Sequence, residues 1–287
     1  GLTATNQVIC DGANPSSGPA DAFQVSFGDD FRCFLKSGGS VDCAGNDIAG
    51  QLGDGNGNFG ARVCVGDGFQ GNCQLDLSGV ELLASSRQSS CAATSNQLFC
   101  WGTSNGLSTE VAQPVRSGVV TALAGGSGRS CFADENGAVS CLFGNPQFFT
   151  PDFDVDAVAI AVDTCVCVLD ATGVVECDDA SGSGSTCAGT HPNGSARICM
   201  DAACTSTISD ALAIATAGDS TCAITLHHGV LCWGNNDFGQ LGTGDTSAVS
   251  FPQPMCASGA GPSCPPFELA AHRSCGDLTV DPLFSGM

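Results

Sequence analysis

The chain has 287 residues, of which 43% are hydrophobic, 13% are charged and 20 are cysteine, and its formal charge at pH 7 is −21. With eight basic residues, Lys36 the single lysine, it lacks the cations that grip a phosphate backbone, and no nucleic acid is expected as partner. No run approaches the roughly 20 apolar residues of a membrane span. Twenty cysteines, an even number, do not fit a reducing cytosol, so a secreted, disulfide-bonded chain is expected, with any signal peptide removed ahead of Gly1.

In chain order, the first patterned segment is Asn6-Gln7-Val8-Ile9-Cys10, which has no cysteine mate upstream and copies Asn96-Gln97-Leu98-Phe99-Cys100 almost position for position. Five complete units follow. Each begins with an apolar strand of small residues (25–28, 80–84, 120–125, 158–161, 211–215) and continues into a hairpin with a cysteine on each arm. The pairs are Cys33 with Cys43, Cys91 with Cys100, Cys131 with Cys141, Cys167 with Cys177, and Cys222 with Cys232. The midpoints fall on Gly38, Asn136, Thr172 and His227, and on Ser95-Asn96 for the shorter second pair. Turns there put the paired cysteines directly opposite each other, within disulfide reach. A sixth apolar strand, 267–271, leads to Cys275, which has no downstream mate.

The repeat is therefore circularly permuted, and Cys10 is expected to pair with Cys275 as the clasp of a ring. Val8, Val41, Leu98, Val139, Val175 and Val230 lie on one strand face; Phe34, Ala92, Phe132, Val168, Ala223 and Gly276 lie on the other. Sheets apolar on both faces pack between neighbouring sheets, as propeller blades do. The expected fold is all-β: one propeller domain over 1–287 with six blades, seven being the alternative. Blade cores lie near 23–43, 80–100, 120–141, 155–177, 210–232, and 267–280 completed by 1–12.

The remaining cysteines sit mostly in connections rich in Gly, Pro and Asp. Local bridges are expected for Cys64 with Cys73 and Cys256 with Cys264, while Cys165, Cys187, Cys199 and Cys204 pair among themselves in an order spacing does not fix.

Two stretches carry a signature: residues 232–245, Cys-Trp-Gly-Asn-Asn-Asp-Phe-Gly-Gln-Leu-Gly-Thr-Gly-Asp, and residues 43–55, Cys-Ala-Gly-Asn-Asp-Ile-Ala-Gly-Gln-Leu-Gly-Asp-Gly. Cys100-Trp101-Gly102 opens a third copy that then departs. This resembles the repeat of the regulator of chromosome condensation family, a β-propeller also seen in a secreted β-lactamase inhibitor protein. The resemblance implies a propeller, usually seven-bladed, that binds proteins. Its intracellular roles, nucleotide exchange on a small GTPase with chromatin binding, do not suit so acidic and cysteine-rich a chain. Light sensing by clustered tryptophans does not suit a chain holding only Trp101 and Trp233.

No catalytic constellation stands out. His227 and His228 fall at a hairpin tip, His191 in a loop, and His272 where an inner strand meets its hairpin; no Gly-x-Ser-x-Gly or His-Glu-x-x-His occurs. An enzyme is not expected, nor a cofactor. Asp54, Asn56 and Asn58 have the spacing of calcium-loop ligands, but Phe59 and Val65 stand where Gly and Glu are needed. Asp152, Asp154 and Asp156 would share a face if extended. Both clusters are weak calcium candidates against a reading as turns and solvated edges. Asn193-Gly194-Ser195 is a glycosylation candidate at Asn193. A surface this poor in charge suits a protein-interaction or structural module, such as a repeating subunit of an extracellular assembly, and the rival reading is a secreted inhibitor or receptor-like binder. Sixteen Phe, two Trp and no Tyr give such a binder few of the usual hot-spot residues.

Overall fold

The computed structural model describes residues 19, 21–55, 61–66, 73, 75–103, 108–143, 145–178 and 197–256. The terminal segments 1–12 and 267–280, with Cys10 and Cys275, lie outside the described residues, as do Cys187, Cys264, Asn56, Asn58 and Asn193. The described residues hold strands and turns, with no helix among them. They form five sheets, each built on an antiparallel run of three or four consecutive strands.

The first sheet orders β1 (Ala22–Phe27), β2 (Phe31–Lys36), β3 (Val41–Gly45) and β4 (Ala61–Arg62) side by side. The second has six strands. In it, β5 (Cys64–Val65) and β6 (Leu75–Asp76) lie outside β7 (Val80–Ser85), β8 (Ser89–Thr94), β9 (Gln97–Gly102) and β10 (Thr109–Ser117), with β5 parallel to β10 at Ala112 and Val65. The third comprises β11 (Val120–Gly126), β12 (Arg129–Asp134), β13 (Val139–Phe143) and β14 (Asn145–Phe149). The fourth has three strands, β15 (Ala157–Val162), β16 (Val166–Asp170) and β17 (Val175–Asp178). The fifth is β18 (Ala211–Ala217), β19 (Ser220–Thr225), β20 (Gly229–Gly234) and β21 (Val249–Pro254).

The described chain divides into two compact units. The first reaches Glu135 and includes Ser140–Thr150; the second has Asn136–Val139 and everything from Pro151.

Hairpin register puts Cys33 opposite Cys43, Cys91 opposite Cys100, Cys167 opposite Cys177 and Cys222 opposite Cys232. These pairs, and Cys131 with Cys141, are disulfide-bonded with Cα atoms 4.0–4.1 Å apart. Cys64–Cys73 and Cys199–Cys204 are bonded as well, and Cys165 and Cys256 are also disulfide cysteines.

Two regularities go beyond the cysteine pattern. The register of every inner strand shifts across its second residue, between Ala22 and Gln24, Val80 and Leu82, Val120 and Ala122, Ala157 and Ala159, and Ala211 and Ala213. The residues at these bulges, Phe23, Glu81, Thr121, Val158 and Leu212, are all exposed. A bulge sets two residues against one and turns the strand end outward. Hairpin tips also hydrogen-bond to the inner strand that follows. Gly39 accepts from Val80 N at 2.9 Å, Gly137 from Ala157 N at 3.0 Å, and Gly173 from Ala211 N at 3.0 Å. All three glycines have positive φ (74°, 78° and 91°), and a Cβ on any of them would come within 3.0 Å of the backbone it touches. Glycine is the residue that meets both demands.

The core of the first unit gathers Leu35, Leu52, Leu77, Leu83 and Trp101, with a second cluster around Leu98, Phe132 and Leu142. In the second unit Trp233, Leu169, Val175, Ile198 and Ile208 pack together. There residues 197–208 lie along the free edge of β17: Ile198 N donates to Val175 O at 3.1 Å, and fully buried Glu176 accepts from Asp154 N (2.8 Å) and Arg197 Nε (3.3 Å).

Candidate functional site

The signature segments form two copies of one loop. Each starts where a hairpin's last strand ends in Gly with positive φ: Gly45, Gly102 in the truncated copy, and Gly234. There the chain crosses the preceding turn so closely that the next residue's N–H reaches it, Asn46 N to Asp30 O (2.9 Å), Thr103 N to Gln88 O (3.0 Å) and Asn235 N to Asp219 O (2.8 Å).

In the copy after β20, buried Asn236 holds the loop together. Its Oδ1 accepts from Leu241 N at 2.9 Å, and its Nδ2 donates to Thr243 Oγ1 (3.2 Å), Asp245 O (2.9 Å) and Ser247 O (3.1 Å). Gln240 then pins the tip, accepting from Phe238 N at 3.0 Å and donating to Asn235 Oδ1 at 2.9 Å. Leu241 is buried below, while Phe238 is 92% exposed above.

The copy after β3 repeats this frame. Ala49 N donates to Gln51 Oε1 at 2.7 Å, Leu52 N to Asp47 Oδ1 at 2.8 Å, and Ile48 stands 91% exposed at the tip. Trp101 is seated beneath it, its Nε1 donating to Gln51 O at 3.0 Å. Two of the differences between the copies change this brace. Asp47 takes the place of Asn236 and Asp54 that of Thr243, so two neighbouring carboxyls stand where the other copy has a neutral amide–hydroxyl bond. Burial pushes the Asp47 carboxyl up from its ordinary 3.8 to about 6, and the charges of Asp54 and Glu110 add to the rise against the opposing Leu52 N–H.

A titration follows from this. The folded chain holds the Asp47 proton more tightly than the unfolded chain, so the stabilisation is complete below pH 3.8 and lost as pH rises to about 6. Asp47→Asn restores the neutral donor and is expected to raise stability at pH 7.5 by about 1 kcal/mol, after allowance for solvent screening of a partly exposed group. It gives no gain at pH 3.5. Melting curves of both proteins at the two pH values check this, and an equal effect at both would show that the Asp47 carboxyl does not titrate in this range.

The remaining sequence candidates are placed as follows. Asp54 is buried in the loop just described and bridges to Val111. Asp152, Asp154 and Asp156 are exposed, but their segment bends at Asp154 and Val155 instead of running extended, so it is not a strand face. Among the described residues, no group of three His, Cys, Asp or Glu is arranged to hold a metal ion. His227 and His228 occupy the β19–β20 turn, where His227 Nδ1 lies 2.9 Å from Asp210 Oδ2. His191 and His272 lie outside the described residues.

The regulator of chromosome condensation (RCC1) repeat matches residues 227–277 and, in a second form, 213–240. Yeast RCC1 (Prp20), solved bound to Kap60, superposes with a TM-score of 0.61 at 13% identity, over 84% of this chain and 64% of that one. The fold is an RCC1-like β-propeller. Human WBSCR16 shares it at a TM-score of 0.57 and 18% identity, over 81% of this chain and 66% of that one. So does Saccharomyces cerevisiae Prp20p, a structure described together with its binding to Gsp1p and histones, at 0.51 and 12%, over 83% and 79%. This propeller chain spans slightly less than two thirds of the WBSCR16 and Kap60-bound RCC1 chains. No curated protein sequence matches it. No helix among its described residues is long and apolar enough to cross a membrane.

Sequence reasoning read the loop as a family signature and did not foresee what it presents. The exposure of Phe238 and Ile48 follows from Gln240 and Gln51 turning the tip outward, a contact that spacing alone does not reveal. The Asp47 and Asp54 replacement was visible in the aligned copies, where two acids stand at positions held by Asn and Thr.

Proposed function

We propose that this propeller is a secreted, non-catalytic protein-interaction module that serves as a repeating subunit of an extracellular assembly. The observation that carries the reading is the pair of signature loops, each braced by side-chain hydrogen bonds to its own backbone and each presenting an apolar residue more than 90% exposed. A tip held out in one conformation gives up little entropy on binding, which favours recognition over flexible display. The disulfides support an oxidising location. That RCC1 was solved bound to Kap60, and Prp20p described with its binding to Gsp1p and histones, supports protein partners as a class.

Each subunit in this reading is a single propeller of six blades, the sixth made by 267–280 with 1–12 and clasped through Cys10 and Cys275. The immobilised chain, exposed to extracellular medium of its source, is expected to retain a defined protein in stoichiometric amount. Recovery of no protein, together with substrate turnover by the isolated chain, would contradict the reading.

A further inference from the structure

The loop that carries Phe238, and the turn it crosses, are rich in carboxylates. Asp237 precedes it, Asp245 closes the same loop, and Asp219 lies in the turn whose carbonyl binds Asn235; all three are exposed. Asp163 sits one turn away, accepting from Gly218 N at 2.5 Å. Arg197 is the one Lys or Arg among the described residues of the second unit, and it is engaged with Glu176 at 3.3 Å. His227 and His228 are at the opposite end of the same sheet. Single exposed apolar side chains are ordinary on protein surfaces. A fully presented ring, on a loop whose backbone is pinned by Gln240 and whose neighbours carry charge of one sign, is not.

The chain contains its own example of what such a pairing binds. In the first unit the Arg116 guanidinium lies over the Phe132 ring, 4.9 Å from its centroid, and donates from Nη2 to Asp134 Oδ2 at 3.2 Å. A ring face and a neighbouring carboxylate thus hold an arginine by two contacts, one with the π-face and one with the charged fork. From this we infer that Phe238, with Asp237 and Asp219 beside it, is a docking point for an arginine side chain of a partner protein. At this point a partner richer in cations is favoured over a second copy of this chain, whose formal charge is −21. Lysine fits less well, since its compact ammonium neither stacks as a plane nor bridges two acceptors.

This inference deepens the interaction-module reading and rests on it. In the experiment, fluorescently labelled peptides alternating Gly with Arg, or Gly with Lys, are titrated against the intact chain at low and high salt. The Arg peptide is expected to bind about fivefold more tightly than the Lys peptide. Phe238→Ser is expected to weaken the Arg peptide about tenfold and to erase its advantage over Lys. Leu226→Ser, which alters another exposed apolar residue at the far end of the same sheet, leaves binding unchanged. Phe238 contributes little to the core, and an unaltered melting curve verifies that Phe238→Ser is folded. Equal affinity of the two peptides, or an unchanged affinity for Phe238→Ser, would overturn the docking point and leave only diffuse attraction to an acidic surface. The partner protein retained from medium separates the two readings. If the wild-type chain and Phe238→Ser retain it equally, the module stands and the docking point falls; if neither chain retains a partner or binds peptide, both fall.

Discussion

Trp101→Ala is expected to lower the free energy of unfolding by about 4 kcal/mol, with a fall in Tm on the order of 10 °C. The indole is fully buried among Leu35, Leu52, Leu77 and Leu83 and donates to Gln51 O at 3.0 Å. The preceding loop rests directly on it, since a Cβ on Gly53 would lie 2.8 Å from the ring. Removing the side chain leaves a large cavity and frees both the Gln51 carbonyl and the Asn46–Gly55 loop from their anchor. Trp101→Phe keeps much of the apolar volume and loses chiefly the hydrogen bond, so about 2 kcal/mol is expected from the unpaired carbonyl and the smaller ring. Urea unfolding of the two variants gives the comparison. Equal losses would mean that the loop is not seated on the indole.

Gly102→Ala ranks next, at about 3 kcal/mol. Gly102 has φ +89°, and an added Cβ would lie 2.2 Å from Gln88 O and 2.6 Å from Ser89 Cα, so neither the conformation nor the space admits a side chain. Left-handed strain alone costs roughly 1–3 kcal/mol, and displacing the preceding turn adds to it by weakening the Thr103 N to Gln88 O bond. Gly218→Ala separates these causes. Gly218 has φ +56° with nothing within 4 Å of a Cβ, so about 1 kcal/mol is expected there. If the two substitutions cost the same in thermal melts, the close crossing of the Trp-Gly segment over its preceding turn is not a source of stability.

These two glycines also show how much could be read from the sequence. The cysteine pairs announced the hairpins because strand side chains alternate with period two and a disulfide demands close, opposed partners. Midpoint arithmetic therefore located the turns, and the small residues of the inner strands marked the start of each sheet. The fourth strands were not foreseen. Pro114 in β10, Pro146 in β14 and Pro252 with Pro254 in β21 read as loop residues, yet β14 and β21 are edge strands, where a missing backbone donor is tolerated, and Pro114 lies where the β9–β10 register shifts. The inner-strand bulges were equally hidden, since a bulge depends on pairing with the partner strand and leaves Phe23, Val158 and Leu212 looking like ordinary core residues. The β5 and β6 additions to the second sheet arise from a connection that reads as Gly-rich irregular chain.

At the candidate site the frame was legible and its purpose was not. The Gly-Gln-Leu-Gly spacing identified both loops, but the outward tips depend on Gln51 and Gln240 side chains folding back on their own turns. The exchange of Asn236 and Thr243 for Asp47 and Asp54 gains meaning only once the structure shows the first pair joined at 3.2 Å.

The central claim, that the propeller works by engaging other proteins outside the cell, is tested most directly by sedimentation velocity on native material isolated from extracellular medium without reductant. A species well above the mass of one chain, held in a defined assembly, is expected. A single sharp boundary at the mass of one chain, unchanged at the concentration found in the source, would contradict it.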